Sequence, residues 1–421
     1  MDINKLLAGV ACSCGKTHTC DIEYVYIEKN AIRRLGDICR PYRDMVIVAD
    51  ENTFAAAGDA TVAALADKTV KRVIFSGAEV LVPNEAAIAT VTDNLANADL
   101  IVGIGSGVIQ DLCKYVSHQS GVPYIVVATA PSMDGYASDG AAMITDGMKV
   151  TYPSGLPRAI VADVDVLKNA PMEMIKAGYG DVIGKFSALN DWKLSRCVNG
   201  EYFCDYIYDL TFAQIQQTLA TAEGILKRDE DSVRALMEAL VVIGILMSFA
   251  GSSRPASGSE HHLSHFFEIT GIIDHTAYFP HGLDVAYSTV VTAEIREKLL
   301  AAPFPQETRR FDRQQYEARM RALYKEVADG CMELQRKIGR YEEDRLPIYR
   351  EHEAEIRRIL AEMPSADEIK RMLALAEIDM QDFYDLYGEK KIADAVAYAK
   401  DLKDRYTVLW MNADLGGQSD V

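Results

Sequence analysis

Five of the eight histidines in this chain fall between Ser259 and Gly282, in the run S-E-H-H-L-S-H-F-F-E and the following F-P-H-G. Imidazoles concentrated in this way are ready ligands for a divalent metal ion. His261 and His265 stand four apart, so on a helix they share one face. His281 precedes a glycine that lets the backbone turn it toward the same point. Two nitrogens and one carboxylate, with a coordination position left open, make a Lewis-acid site. The segment A-G-Y-G-D-V-I-G-K offers that carboxylate in Asp181, with Lys185 one turn further on. Residue types alone also permit plainer roles: solvated or core histidines, and an Asp181 that only caps a helix.

A second group of residues suggests a nucleotide. The apolar run 100–105 ends in G-I-G-S-G-V-I-Q-D-L-C-K, where Gly103, Gly105 and Gly107 allow close backbone approach to a pyrophosphate at a helix N-terminus. Val108 stands where the dinucleotide fingerprint wants its third glycine, and the lysine-serine end of a P-loop is missing. Asp50 ends the run M-V-I-V-A-D at the place of a carboxylate that accepts the ribose hydroxyls, which favours NAD over NADP. A helix cap is the other reading of Asp50. The stretch T-A-P-S-M-D-G-Y-A-S (129–138) brings hydroxyls at Thr129, Ser132 and Ser138 that suit cofactor, and Asp134 that suits a substrate hydroxyl, unless Asp134-Gly135 is a plain turn.

The elements that must position these residues follow from periodicity. Runs 45–50, 72–76, 100–105, 124–129 and 159–163 read as buried strands, with helical stretches 53–67, 84–97 and 107–119 between them. That alternation predicts an α/β nucleotide-binding domain with a mostly parallel sheet over 21–165. Beyond it the pattern predicts an all-α, metal- and substrate-binding domain over 166–421, with helices at 171–196, 208–225, 230–250, 258–269, 282–301, 306–340, 346–361, 366–377 and 389–404. The length of 421 residues fits two or three domains.

Lys and Arg number 44 against 62 Asp and Glu, a formal charge of −18, which disfavours nucleic acid or anionic lipid as partner. No run is expected to reach the ~20 apolar residues of a membrane helix. The first residues lack the pattern of a signal peptide, so the cytoplasm is the expected location. Eight cysteines are too sparse for a disulfide scaffold. Cys12, Cys14, Cys20 and Cys39 sit early, and C-S-C-G-K-T-H-T-C with His18 has the residue types for zinc. Its C-x-C start is not the usual C-x2-C knuckle, and residues 1–20 read instead as a reduced, partly exposed N-terminal tail.

Taken together, G-x-G-S-x-x-x-x-D-x-x-K, T-A-P-S-x-D-G, G-x-G-D-x-x-x-K and above all S-R-P-A-S-G-S-E-H-x-x-S-H followed by H-G resemble the sn-glycerol-1-phosphate dehydrogenase family, and most of all its bacterial, AraM-like branch. That family lies in the superfamily of iron-containing alcohol dehydrogenases, glycerol dehydrogenases and dehydroquinate synthases. The resemblance runs from about residue 20 to the closing K-D-R-Y-T-V-L, with the region 302–362 expanded. It implies a dehydroquinate synthase-like fold and metal ligands Asp181, His261 and His281. It places Asp134, Asp181 and His265 at substrate. It implies NAD contacts from Gly105, Gly107, Val108, Ile109, Gln110, Asp111, Thr129, Ala130, Pro131, Ser132 and Ser138, with Asp50 at the ribose. A homodimer or larger homo-oligomer is implied as well.

The expected reaction is reversible, metal-dependent reduction of dihydroxyacetone phosphate by NADH, with His265 and Asp134 as the catalytic side chains. The three-ligand set suits zinc, nickel or iron(II). His265, one turn from a ligand, is the nearest proton donor. Arg254 and Lys185 are the local cations for the phosphate, although Arg254 has a competing reading as an anchor for helix carbonyls. A polyol dehydrogenase and a dehydroquinate-synthase-like lyase are the alternatives.

Overall fold

The computed structural model describes residues 3–145, 148–307 and 312–416. The first residues carry a short helix, Ile3–Leu7, and a two-stranded antiparallel pair, β1 (Val10–Ala11) and β2 (Thr17–His18). The expected tail is thus folded chain.

The central sheet holds six strands: β3 (Tyr24–Glu28), β4 (Asp44–Asp50), β5 (Thr69–Phe75), β6 (Leu100–Gly105), β7 (Tyr124–Ala128) and, after a hairpin of β8 (Gly140–Thr145) and β9 (Met148–Pro153), β10 (Ala159–Asp163). All neighbours pair in parallel, in the order β3-β10-β7-β6-β4-β5. Five of the six are the strands that the β-branched runs predict. The inner four, β4, β6, β7 and β10, are buried on both faces along nearly all their length, as continuous apolar runs require, whereas β5 at the edge is largely exposed. The weakly patterned edge strand β3 and the β8–β9 hairpin lie outside that expectation.

Strand order reverses between β4 and β6. Chain leaving β4 moves outward to β5, whereas chain leaving β6 moves the other way through β7 to β10. Ligands of open α/β sheets bind at such a switch point, beyond the strand C-termini. Val48 pairs with Gly103, and Gly105 with Ala128, so Asp50, Gly105 and Thr129 come level on three adjacent strand ends.

The chain divides into two compact units, and the division does not coincide with residue 165. One comprises Met1–Val182 and Gln216–Ser253, the other Ile183–Ile215 and Arg254–Val421. Two long helices, Met172–Asn199 and Asp205–Leu226, run through the cuts and belong to both. The helix Glu230–Ala250 is long and apolar enough to cross a membrane, against the expectation that none would be. Its most apolar window is 83% buried, and it packs on β3 and the 135–137 turn, as a core helix of the α/β unit does.

The second unit is helical throughout its described residues, with Ser259–Asp274 and His281–Ala301 at its centre. The helix expected over 306–340 is instead broken into Arg313–Tyr324 and Ala328–Lys337, because Lys325 takes a left-handed φ of 46° between them. The 346–361 helix breaks at His352. The one expected at 389–404 starts earlier, at Met380, and kinks at Gly388. A last helix, Val408–Asp414, had no periodic signal of its own.

Candidate metal and nucleotide sites

The helix Gly107–Ser120 begins at the C-terminal end of β6, so its first amides and positive dipole end face the switch point. The three glycines there do different work. A Cβ at Gly103 would stand 2.9 Å from Cys113 Sγ, and one at Gly105 would stand 2.6 Å from Ile109 Cβ. Those two glycines let the helix lie close on the strand. At Gly107 a Cβ would meet only Met133, at 3.8 Å, which leaves the first amides of the helix open to a ligand. Val108 and Ile109 follow in the same turn. Ile109 is core, so only its backbone is suited to contact cofactor.

Gln110 turns away from any ligand. Its side-chain amide donates to the carbonyls of Gly135 and Tyr136, at 2.9 and 3.0 Å. Lys114 does more. Fully buried, it donates to the carbonyls of Gly135 and Gly140 and to Ser138 Oγ, and pairs with Asp111 at 3.5 Å. Burial pulls the Lys114 ammonium below its ordinary value, and Asp111 opposes that. Lys114 therefore ties the 129–140 loop to the nucleotide helix. It is the last residue of the G-x-G-S motif, and a buried lysine at fixed spacing was the signal available to find it.

The loop is also gripped from its other side. A Cβ at Gly178 would sit 1.8 Å from the Pro131 carbonyl oxygen, and one at Gly244 would sit 2.8 Å from that of Asp134. Helices Met172–Asn199 and Glu230–Ala250 thus press on the loop through glycines. Tyr136 donates its hydroxyl to the Ala130 carbonyl, and the Thr129 amide donates to Gly105. Ala130 and Ser132 are buried within this loop. Asp50 accepts the Thr53 amide at 2.8 Å through Oδ1 and so caps the helix Glu51–Ala64.

Asp181 is buried in mid-helix on Met172–Asn199, one residue before the cut, and accepts the Asp134 amide at 2.9 Å. The next turn of that helix carries Gly184, where a Cβ would stand 2.4 Å from Val285 Cγ1 on the helix His281–Ala301. Ring centroids of His261 and His281 are 5.1 Å apart, and those of His265 and His281 5.5 Å.

The histidines are aimed by their neighbours. Glu260 lies 2.7 Å from His261 Nδ1, which makes Nδ1 the protonated nitrogen and leaves the Nε2 lone pair for a metal. Ser264 Oγ lies 3.3 Å from His281 Nδ1. Burial pushes the His261 imidazole well below its ordinary value, so it is neutral, as a ligand must be. The neutral imidazole of His261, with that of His281 beside it, fits two positions on a divalent ion. His262, the other member of the pair, is fully buried and neither of its ring nitrogens has a hydrogen-bond partner among the described residues.

The start of the Ser259–Asp274 helix is fixed by Asp191, which accepts from the Ser259 amide at 2.7 Å and from Arg296 at 2.7 Å. Lys185 is fully buried. Arg254 is nearly so, and donates to Glu201, to the Tyr406 carbonyl and to Ser195 Oγ. These contacts give Arg254 the anchoring role that the sequence had left as its alternative. A further cation beside the histidines is one the sequence did not single out: Lys403 Nζ lies 3.3 Å from His265 Nε2 and 3.4 Å from Ser257 Oγ.

Residues 26–171 match the family model described as iron-containing alcohol dehydrogenase. A glycerol-1-phosphate dehydrogenase [NAD(P)+] of Bacillus licheniformis is 30% identical over 410 residues, which cover 95% of this chain and 91% of that protein. The chain belongs to the glycerol-1-phosphate dehydrogenase family. A second member, from Halalkalibacterium halodurans, is 35% identical over 292 residues, covering 68% of this chain and 73% of its own. The fold is that of the iron-containing alcohol dehydrogenase from Thermococcus thioreducens, which superposes with a TM-score of 0.61 over 95% of this chain and 100% of that one, at 14% identity.

Proposed function

We propose that this protein catalyses the reversible NAD(H)-linked reduction of dihydroxyacetone phosphate to sn-glycerol 1-phosphate, using one divalent metal ion held by Asp181, His261 and His281. The observation that carries the reading is the pair His261 and His281, with ring centroids 5.1 Å apart, in a member of this family. A metal ion bound there would polarise the ketone oxygen and favour the negative charge that grows on it as hydride arrives from the cofactor.

The chain's own residues supply the rest. The open amides at Gly107, Val108 and Ile109 receive the pyrophosphate, with Gln110 and Asp111 in the turn that follows, and the loop from Thr129 through Ala130, Pro131 and Ser132 to Ser138 shapes the cofactor's bed. Asp50, level with Gly105, is placed for the ribose while it caps its helix. Asp134, whose amide is tied to Asp181, lies where a substrate hydroxyl can meet its carboxylate. His265 delivers or relays the proton to the new hydroxyl, with Lys403 Nζ 3.3 Å from its Nε2. Lys185 and Lys403 are the cations suited to the substrate phosphate.

The test is NADH oxidation with dihydroxyacetone phosphate and with dihydroxyacetone, after chelation and re-addition of zinc, nickel or iron(II) singly. Strong preference for the phosphorylated ketone, restored by one of these metals, supports the proposal. Equal or better turnover of dihydroxyacetone would make the protein a polyol dehydrogenase.

A further inference from the structure

The β1–β2 segment gathers a second set of metal-ligating side chains. Cys12 and Cys14 lie in its turn, where the Cys12 amide donates to the Lys16 carbonyl at 3.0 Å and the Gly15 amide to the Cys12 carbonyl at 3.1 Å. Gly15 holds φ at 88°, a left-handed conformation that suits glycine and folds the C-x-C-G turn back on itself. Pairing of Val10 with His18 then brings the imidazole alongside the two thiols.

His18 is 1% exposed and its protonation pattern is readable. Nδ1 lies 3.0 Å from the Phe249 carbonyl oxygen, which can only accept, so Nδ1 carries the proton and Nε2 carries the lone pair. Nε2 lies 3.5 Å from Cys14 Sγ. The ring stacks on Phe249 with centroids 5.2 Å apart. A backbone carbonyl on one nitrogen with sulfur facing the other is how metal-bound histidines are commonly held. Ligand atoms of Cys12, Cys14 and His18 all lie within 4.8 Å of one another, and neither cysteine is in a disulfide.

We propose that Cys12, Cys14 and His18 Nε2 bind one thiophilic divalent ion, zinc by preference, as a structural site separate from the Asp181 group. Two sulfurs and one imidazole supply three corners of a tetrahedral shell. The thiols lose their protons to solvent as the ion binds. The ion also explains how strands of two residues hold the N-terminal segment in place, since ladders that short are weak alone.

Chelated protein is reloaded with cobalt(II), and bound metal is counted per chain. The expected result is two equivalents and a near-ultraviolet thiolate-to-cobalt charge-transfer band. That band should vanish in Cys14→Ser and persist in Asp181→Asn, which loses the other equivalent. On the unmutated chain, zinc should slow alkylation of Cys12 and Cys14 by iodoacetamide by about tenfold or more, followed by mass spectrometry. One equivalent without the band, a band that survives Cys14→Ser, or thiols equally reactive with and without zinc would each overturn the assignment. Because alkylation is read on the native sequence, it decides the question even where the serine variant fails to fold.

Discussion

Arg254 and Glu201 meet fork to fork, with Nε 2.7 Å from Oε1 and Nη2 2.5 Å from Oε2, while a third nitrogen holds the Tyr406 carbonyl. The pair joins the S-R-P-A-S-G segment to the end of the Met172–Asn199 helix and to the C-terminal segment. Arg254→Ala should therefore lower stability by roughly 2–3 kcal/mol, in the range of charge-assisted hydrogen bonds. Turnover of dihydroxyacetone phosphate and dihydroxyacetone should fall by the same factor. Denaturant melts and paired kinetics check this; a loss confined to the phosphorylated substrate would restore Arg254 to the phosphate.

Lys403 is the contrasting case. Lys403→Ala should reduce kcat/KM for dihydroxyacetone phosphate by about 10- to 150-fold, the value of roughly 1.5–3 kcal/mol, with a much smaller change for dihydroxyacetone. Steady-state kinetics on both ketones read the difference.

Glu260 aims His261, and replacing such a partner typically costs 10- to 100-fold in metal affinity, so Glu260→Gln should weaken the Asp181 site by about that much. In metal-free protein, burial first and the Asp191 charge second push the Glu260 carboxyl up to about 7. The folded chain then keeps a proton that the unfolded chain loses above its ordinary value near 4.5. Stability should accordingly fall as pH rises from about 4.5 to about 7, by an amount on the order of 3 kcal/mol. Chelated Glu260→Gln should lack that part of the slope in melts taken across the window.

His261→Ala should lose bound metal and nearly all turnover, whereas His262→Ala should keep its metal. His262 is buried with its nitrogens unsatisfied, and burial holds it neutral, so its removal costs packing rather than ligation. Metal counting on the two variants separates the neighbours.

Lys114→Met removes the three bonds that tie the 129–140 loop to the nucleotide helix. It should raise the Kd for NADH by about tenfold or more and leave metal content intact. Gly178→Ala acts on the same loop from the opposite side, forcing Pro131 to move at about 1–3 kcal/mol. Fluorescence titration with NADH and thermal melts measure both.

The sequence by itself determined the strand set and the chemistry of the donors. Buried parallel strands appear as β-branched runs, and histidines four apart share a helix face whatever surrounds them. The strand order was not legible, because it depends on which strands pair, and the alignment of Asp50 with Gly105 and Thr129 exists only in that register. Two glycines of the G-x-G-S turn suggested phosphate but serve packing, a distinction made by Cys113 and Ile109 lying beneath them. Arg254 looked like a phosphate ligand from local spacing, yet Glu201 lies 53 residues away and Tyr406 152 residues away. Spacing reports neighbours on one helix or strand, and only long-range folding decides which distant charge a side chain meets.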